Sequence, residues 1–288
     1  MSRATSAVDT GVARIRCVQL SPVVGDLAGN RDLILGAVRE AKAARVDVLV
    51  LPELAASGYV FTSKREASSV AITAEHSLFT DIADELAFTT AIVVVGFCER
   101  GERDVLFNSA AVISAAGVLA VYRKTHLWDR EKLFFTPGTG SAPIVDTPHG
   151  RMGVLICYDL EFPEMPRSLA LDGADFIAVP TNWPLGTTPA GEHPAEIILA
   201  MAAARSNGVF IACCDRAGTE RDVAWTEGTV IIDQFGWILD RPTGDGSVAT
   251  ADIFPALARD KAISARNDLM ADRRPLLYSR LQSSPTES

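Results

Sequence analysis

Three residues with usable chemistry stand where three apolar, strand-like runs stop. Glu53 closes "DVLVLPE", Lys124 closes "VLAVYRK" and Cys157 closes "MGVLIC". Strand termini are rigid mounts, and α/β proteins gather their sites at the carboxyl ends of strands. The three lie too far apart in sequence for local contact, so only the fold brings them together.

The set suits acyl transfer. A free thiol is only a few per cent thiolate at neutral pH, so Cys157 needs a base. A carboxylate at Glu53 would take its proton as the sulfur attacks. Lys124 would stabilise thiolate and, more importantly, the oxyanion of a tetrahedral intermediate, where one donor contributes about 3–4 kcal/mol. A sharp turn after Cys157 would offer the Tyr158 backbone N–H as a second donor. Each residue also has an ordinary reading: Glu53 as a solvated strand end, Lys124 as a surface charge, Cys157 as a small core filler.

The elements that must position them alternate between strands and helices. "VARIRCVQLS" and "AIVVVGFCE" read as strands, and "DVLVLPE" is apolar almost throughout, as a buried strand is. "NRDLILGAVREAKAARV" has helical spacing with Asn30 as its N-cap, and "HSLFTDIADELAFTT" reads as a second helix. "LFNSAAVISAAGVLAVYRKTHL" suggests a hairpin over Ala-Ala-Gly, and "APIVDTPHGRMGVLICYD" another, turning at His149-Gly150. "MPRSLALDGA" is helical, "DFIAVPTNW" a strand, and "PAEIILAMAAARSNG" a helix closed by Gly208. "VFIACCDRAG", "GTVIIDQFG" and "WILDRPTG" complete the strands. With no Pro/Gly/Ser-rich linker, one domain over 13–280 is expected, between loose tails at 1–12 and 281–288. It is an α/β protein whose mixed sheet or sheets carry helices on the outer faces.

Composition narrows the partners. The net charge of −9 over 288 residues, with no basic cluster, disfavours nucleic acid and anionic membrane surfaces. The N-terminus has no apolar signal segment, and no apolar run reaches the roughly 20 residues that span a bilayer. Five cysteines without CxxC spacing imply neither a disulfide framework nor zinc, so a reducing, cytoplasmic setting is expected.

In its motifs the chain resembles the nitrilase superfamily of carbon–nitrogen hydrolases. "LPELAASGY", "YRKTHL", "EKLFFTPG" and "GVLICYDLEFPE" occur in the family's order, followed by "AxxAARSNG" and "DRRPLLY", and the likeness runs from Val12 to Tyr278. The resemblance implies a four-layer α-β-β-α sandwich, paired with a second subunit as a homodimer, and no metal or organic cofactor. It implies Glu53 as general base, Lys124 as oxyanion stabiliser and Cys157 as nucleophile. Glu131 would sit beside Lys124, orienting it and the leaving amine.

The resemblance also bears on substrate. Nitrilases of the family usually follow the cysteine with Trp-Glu, whereas Tyr158-Asp159 here is similar to the amidase and carbamoylase branches. Members acting on acidic substrates often carry arginine where this chain has Glu161, and a carboxylate there would repel such substrates. Tyr59, Asn182, Trp183 and Trp225 are candidates to line a small apolar pocket, against a plain packing role for each. A small neutral or aliphatic amide is the expected substrate, with carbamoyl amides or nitriles as alternatives. A catalytically inactive binding scaffold is the alternative from another class. His126, two residues after Lys124, suggests a Cys-His couple, but a hydrogen-bonding structural histidine is the preferred reading. Cys17, Cys98, Cys213 and Cys214 read as core filler.

Overall fold

The computed structural model describes residues 11–278. The tails expected at 1–12 and 281–288 fall outside that range, apart from Gly11 and Val12, which are exposed.

The strands are β1 (Ala13–Val18), β2 (Val48–Val50), β3 (Ile92–Arg100), β4 (Leu106–Ser114), β5 (Gly117–Arg123), β6 (Ile144–Thr147), β7 (Gly150–Val154), β8 (Phe176–Pro180) and β9 (Phe210–Cys214). After the small hairpin β10 (Thr219–Glu220) and β11 (Val223–Ala224) come β12 (Val230–Ile232), β13 (Ile238–Asp240) and β14 (Val248–Ile253). A second small hairpin, β15 (Ala262–Ser264) with β16 (Asn267–Asp268), follows. The α-helices are α1 (Leu27–Ala43), α2 (Lys64–Ser69), α3 (Ser77–Glu85), α4 (Glu164–Leu171) and α5 (Ala195–Asn207).

Two six-stranded sheets form, in the orders β14-β1-β2-β3-β4-β5 and β13-β12-β9-β8-β7-β6. In the first, β1, β2 and β3 are parallel; in the second, β7, β8 and β9 are. β4 is antiparallel to β3 and β5 antiparallel to β4, so β5 again points the way β2 does. Lys124 therefore leaves the same end of its sheet as Glu53.

Side-chain alternation builds the layers. Val48 and Val50 join Ile15, Cys17 and Val94 in the apolar layer shared with the second sheet, while Leu49 turns the other way onto α1 and α3. Burying each such aliphatic side chain contributes about 1.5–3 kcal/mol. Leu169 and Ala170 of α4, with Ile197 and Ala200 of α5, cover the outside of the second sheet. The result is the four-layer α-β-β-α sandwich. No helix of the described residues is long and apolar enough to cross a membrane.

Several expectations shift in detail. α1 begins earlier than expected: Asp26 is its cap, its carboxylate accepting the Gly29 N–H at 2.9 Å. Asn30 is instead buried inside the helix, where its amide takes the Val23 N–H at 2.7 Å and donates to Ala56 O at 3.2 Å. Both residues are cap types, and the side chain able to accept and donate is the one that ties the preceding loop. The second hairpin turns at Pro148-His149, one residue early. β14 gave no strand signal, because "VATADI" has few large apolar residues; it pairs along the whole of β1 and buries only Ala249 and Ile253. Gly208 does close α5, in the left-handed conformation at φ 59°.

Candidate active site

Glu53, Lys124 and Cys157 each sit just beyond a strand rather than on its last residue. β2 stops at Val50, and the chain turns through Leu51-Pro52 to Glu53, with Leu54 left-handed at φ 50°. Gly96 of β3 makes room for that turn. A Cβ there would lie 2.3 Å from Leu54 N and 2.7 Å from Glu53 Cα. From the other sheet, Asn182 donates from Nδ2 to the Glu53 carbonyl at 2.8 Å. Asn182, expected at the substrate, is thus a clamp that fixes the Glu53 backbone across the sandwich.

Lys124 follows β5 directly and is fully buried. Its Nζ donates to Oε1 of Glu53 at 2.7 Å and to Oε1 of Glu131 at 2.8 Å. An ammonium has three N–H bonds, so one remains for a further acceptor. Glu131 lies in a short 3₁₀ turn and is held from all sides. Tyr59 OH donates to its Oε1 at 2.6 Å, and the Trp128 N–H to its Oε2 at 3.0 Å. Glu53 receives one more bond, from Asn108 Nδ2 to Oε1 at 2.7 Å. Its Oε2 is buried without a partner among the described residues.

Two carboxylates share one ammonium away from water, and the charges adjust. Burial pushes the Glu53 carboxyl up to about 7, with Lys124 pulling it down and Glu131 pushing it further up. Burial works against the charge on Lys124, but Glu131 and Glu53 outweigh it and hold the ammonium well above its usual value. Burial, and then the neighbouring Glu131, keeps the Tyr59 hydroxyl protonated.

Cys157 opens a 3₁₀ turn, Cys157–Glu161, with its backbone in the left-handed region at φ 47°. Such a conformation costs a non-glycine residue on the order of 1–2 kcal/mol, and a sharp strained turn of this kind is what a nucleophile elbow uses. Tyr158 comes second in the turn, where the leading N–H groups have no acceptor within the turn itself. Cys157 is 5% exposed, and its Sγ lies 3.9 Å from the Asn182 carbonyl. Burial raises its pKa well above the usual value; Glu53 adds to this, and Lys124 opposes it. Lys124 gives two of its three N–H bonds to carboxylates, which leaves one for a further acceptor.

Asp159, two residues on, is wholly buried and holds the elbow. Its Oδ2 accepts from Tyr122 OH at 2.9 Å and from the Ile156 N–H at 3.2 Å. Its Oδ1 accepts the His126 N–H at 2.9 Å, and the His126 ring Nδ1 lies at the same distance. The His126 ring stacks on Phe162 with centroids 3.7 Å apart. His126 is therefore the structural histidine, joining the Lys124 segment to the elbow, and not half of a Cys-His couple.

The pocket candidates divide. Tyr59 packs edge-on against Trp225 at 5.4 Å and carries the bond to Glu131. Trp225 and Trp183 are nearly closed off, at 4% and 2% exposed. The buried Arg216–Glu220 pair (3.0 Å) supports this wall, Glu220 accepting the Tyr59 N–H at 2.9 Å while Arg216 lies over Trp225. Two contributors carry no signal in the sequence, Asn108 and the exposed Trp128, which meets Tyr158 edge-on at 4.9 Å, and the structural part of Asp159 shows only in its contacts. Glu161 is half-buried and has no hydrogen-bond or ion-pair partner among the described residues. Burial raises its pKa, Glu196 of α5 raises it further, and Lys124 lowers it. Cys17, Cys98, Cys213 and Cys214 are free and buried, as core residues, and burial pushes Cys98 up to about 12. No cluster able to hold a metal ion occurs among the described residues.

This sandwich and this cluster define a hydrolase of carbon–nitrogen bonds. The chain belongs to the carbon-nitrogen hydrolase family, whose model matches residues 14–262, and the resemblance to the nitrilase superfamily holds. A nitrilase of Pyrococcus abyssi is 32% identical over 270 residues, covering 93% of this chain and 100% of its own. An (R)-stereoselective amidase of Pseudomonas sp is 31% identical, covering 92% of each. The crystal structure of an amidase from Nesterenkonia sp. superposes with a TM-score of 0.78 at 26% identity, covering 93% of this chain and 96% of its own. A glutamate-to-glutamine mutant of that amidase (26% identity, TM-score 0.75) shows acrylamide added at its active-site cysteine; 93% of this chain and 99% of that one are covered.

Proposed function

We propose that the protein is an amidase that hydrolyses a small neutral or aliphatic carboxylic amide to the acid and ammonia through a cysteine thioester. The observation that carries this reading is the doubly bonded Lys124, set between Glu53 and Glu131 beside the Cys157 elbow.

Cys157 Sγ attacks the amide carbonyl carbon while its proton passes to the unpartnered Oε2 of Glu53. The third N–H of Lys124 and the N–H of Tyr158 take the oxyanion. The C–N bond breaks, the nitrogen receives the proton from Glu53, and ammonia leaves behind a thioester. Glu53 then deprotonates water, which attacks the same carbon. The second oxyanion collapses, the thiol is restored and the acid departs. Glu131 holds Lys124 from the far side and faces the leaving amine. The Glu53 carboxyl, at about 7, can hold and release a proton near neutrality, as both half-reactions require.

The acyl side is set by charge and size. Glu161 and Glu196 bring negative charge beside the elbow, which disfavours acids and carbamoyl amino acids as substrates. Tyr59, backed edge-on by the nearly closed-off Trp225, supplies apolar surface for a short acyl chain. Ammonia release from a panel of amides, carbamoyl compounds and nitriles tests the proposal. Propionamide or butyramide should turn over fastest. Faster release from carbamoyl amino acids, or from nitriles, overturns it in favour of those reactions.

A further inference from the structure

Asn108 stands in a row where an amide has no obvious place. Along β4 it shares the inward face with Ala110 and Val112, both in the apolar layer between the sheets, and it is 1% exposed. A buried amide without partners costs a few kcal/mol, so its partners reveal what it is for. Its Nδ2 donates to Glu53 Oε1 at 2.7 Å, and its backbone carbonyl accepts the Lys124 N–H at 2.8 Å. One residue therefore touches both the carboxylate and the lysine segment.

The two oxygens of Glu53 are left unequal. Oε1 accepts from Lys124 and from Asn108, both at 2.7 Å, while Oε2 is buried and bare among the described residues. Lys124 alone would leave the carboxylate free to turn about its terminal torsion, which is broad and two-fold. A second donor at a fixed angle removes that freedom.

We propose that Asn108 is a positioning residue that assigns different work to the two oxygens of Glu53, Oε1 as the anchored end and Oε2 as the one that takes and returns the proton. This rests on the amidase reading above. A neutral donor suits that role, because it favours the carboxylate without adding a charge to a crowded site. Lys124, Glu131, Cys157, Tyr59 and, further off, Arg216 already stand around Glu53. The Asn108 bond lowers the proton affinity of Glu53, in the same direction as Lys124.

The test is the pH dependence of kcat/KM for butyramide in Asn108→Leu and in the near-isosteric Asn108→Asp. Loss of the donor moves the acidic limb to higher pH in Asn108→Leu, and the added carboxyl moves it further in Asn108→Asp. At the plateau kcat falls about ten- to a hundredfold with KM nearly unchanged, because the amide acts through Glu53 and not on substrate. A purely structural role lowers the melting temperature and the active fraction but leaves the limb in place. Folded variants of either kind with an unmoved limb overturn the proposal. Should Asn108→Leu fail to fold, Asn108→Asp decides alone, with the pH dependence of iodoacetamide alkylation at Cys157 as a readout in partly active protein. Failure of the amidase reading shows separately, as wild-type protein that releases no ammonia from any amide.

Discussion

Asp159 grips His126 with a single oxygen: Oδ1 lies 2.9 Å from both the backbone N–H and the ring Nδ1 of His126. With Oδ2 on the Ile156 N–H and the Tyr122 hydroxyl, one carboxylate joins the cysteine elbow to the segment carrying Lys124. Asp159→Ala leaves several buried donors unpaired, at about 1–3 kcal/mol for each one unsatisfied. The elbow loses what holds Cys157 at φ 47°. Ammonia release should fall at least about a hundredfold, as expected for a misplaced nucleophile, and the melting temperature should drop. His126→Gln, which keeps the backbone bond, should lose far less of both.

Gly96 gives a second steric test. In Gly96→Ala the new Cβ would lie 2.3 Å from Leu54 N, so β3 or the Glu53 turn must shift. Such overpacking typically costs about 1–3 kcal/mol. Because the atoms pushed belong to the backbone of Glu53 and Leu54, kcat should fall more than stability alone explains. A fully active Gly96→Ala protein would show that the turn tolerates movement.

Lys124→Met removes the charge to which both Glu53 and Glu131 are bonded. Breaking a buried ion pair on one side typically destabilises by about 3–5 kcal/mol, since the partner charges stay buried. The variant should be inactive and should melt well below wild type. It should also bind a proton more tightly at Glu53, because Lys124 holds that pKa down. An equally stable Lys124→Met protein would mean that the carboxyls are neutral in the native state.

The Glu53 carboxyl also predicts a stability trend with pH. Its pKa is about 7 in the fold against 4.5 for an ordinary glutamate. Between those values the native state binds more protons than the unfolded one, so stability falls as pH rises. This contribution is complete below about pH 4.5 and lost on passing through 7. Urea denaturation of wild type and Glu53→Gln should show the variant gaining on wild type between pH 5 and pH 8. A constant difference would place the Glu53 pKa near its ordinary value.

Much of the site was legible because its chemistry is written in contiguous words. Cys157, Tyr158 and Asp159 are neighbours, and Glu53 and Lys124 follow apolar runs whose burial pattern announces strands. Alternation, and helices such as α5 that end on a glycine, point to a mixed sheet or sheets with helices outside, while the four-layer sandwich is what the resemblance implies. What stayed hidden depends on register. Asn108 sits in "LFNSAAV" as an ordinary strand polar residue, and nothing local says that β4 passes beside Glu53. Asp159 meets Tyr122 and His126 only once the two sheets are stacked. β14 was silent because a strand at a sheet's edge needs few large apolar side chains. Asn182 and Trp183 lie near the motifs and so read as candidates for the pocket. Their directions, one onto the Glu53 backbone and one into the core, are properties of packing.

Everything in the proposed reaction turns on the sulfur of Cys157 as the atom that attacks the amide. Ammonia release from butyramide by Cys157→Ala, measured beside wild type at equal folded concentration, tests this most directly. The site as built predicts release indistinguishable from the uncatalysed rate, with an unchanged melting temperature, since the alanine removes only the sulfur. Release near the wild-type rate from that variant would contradict it.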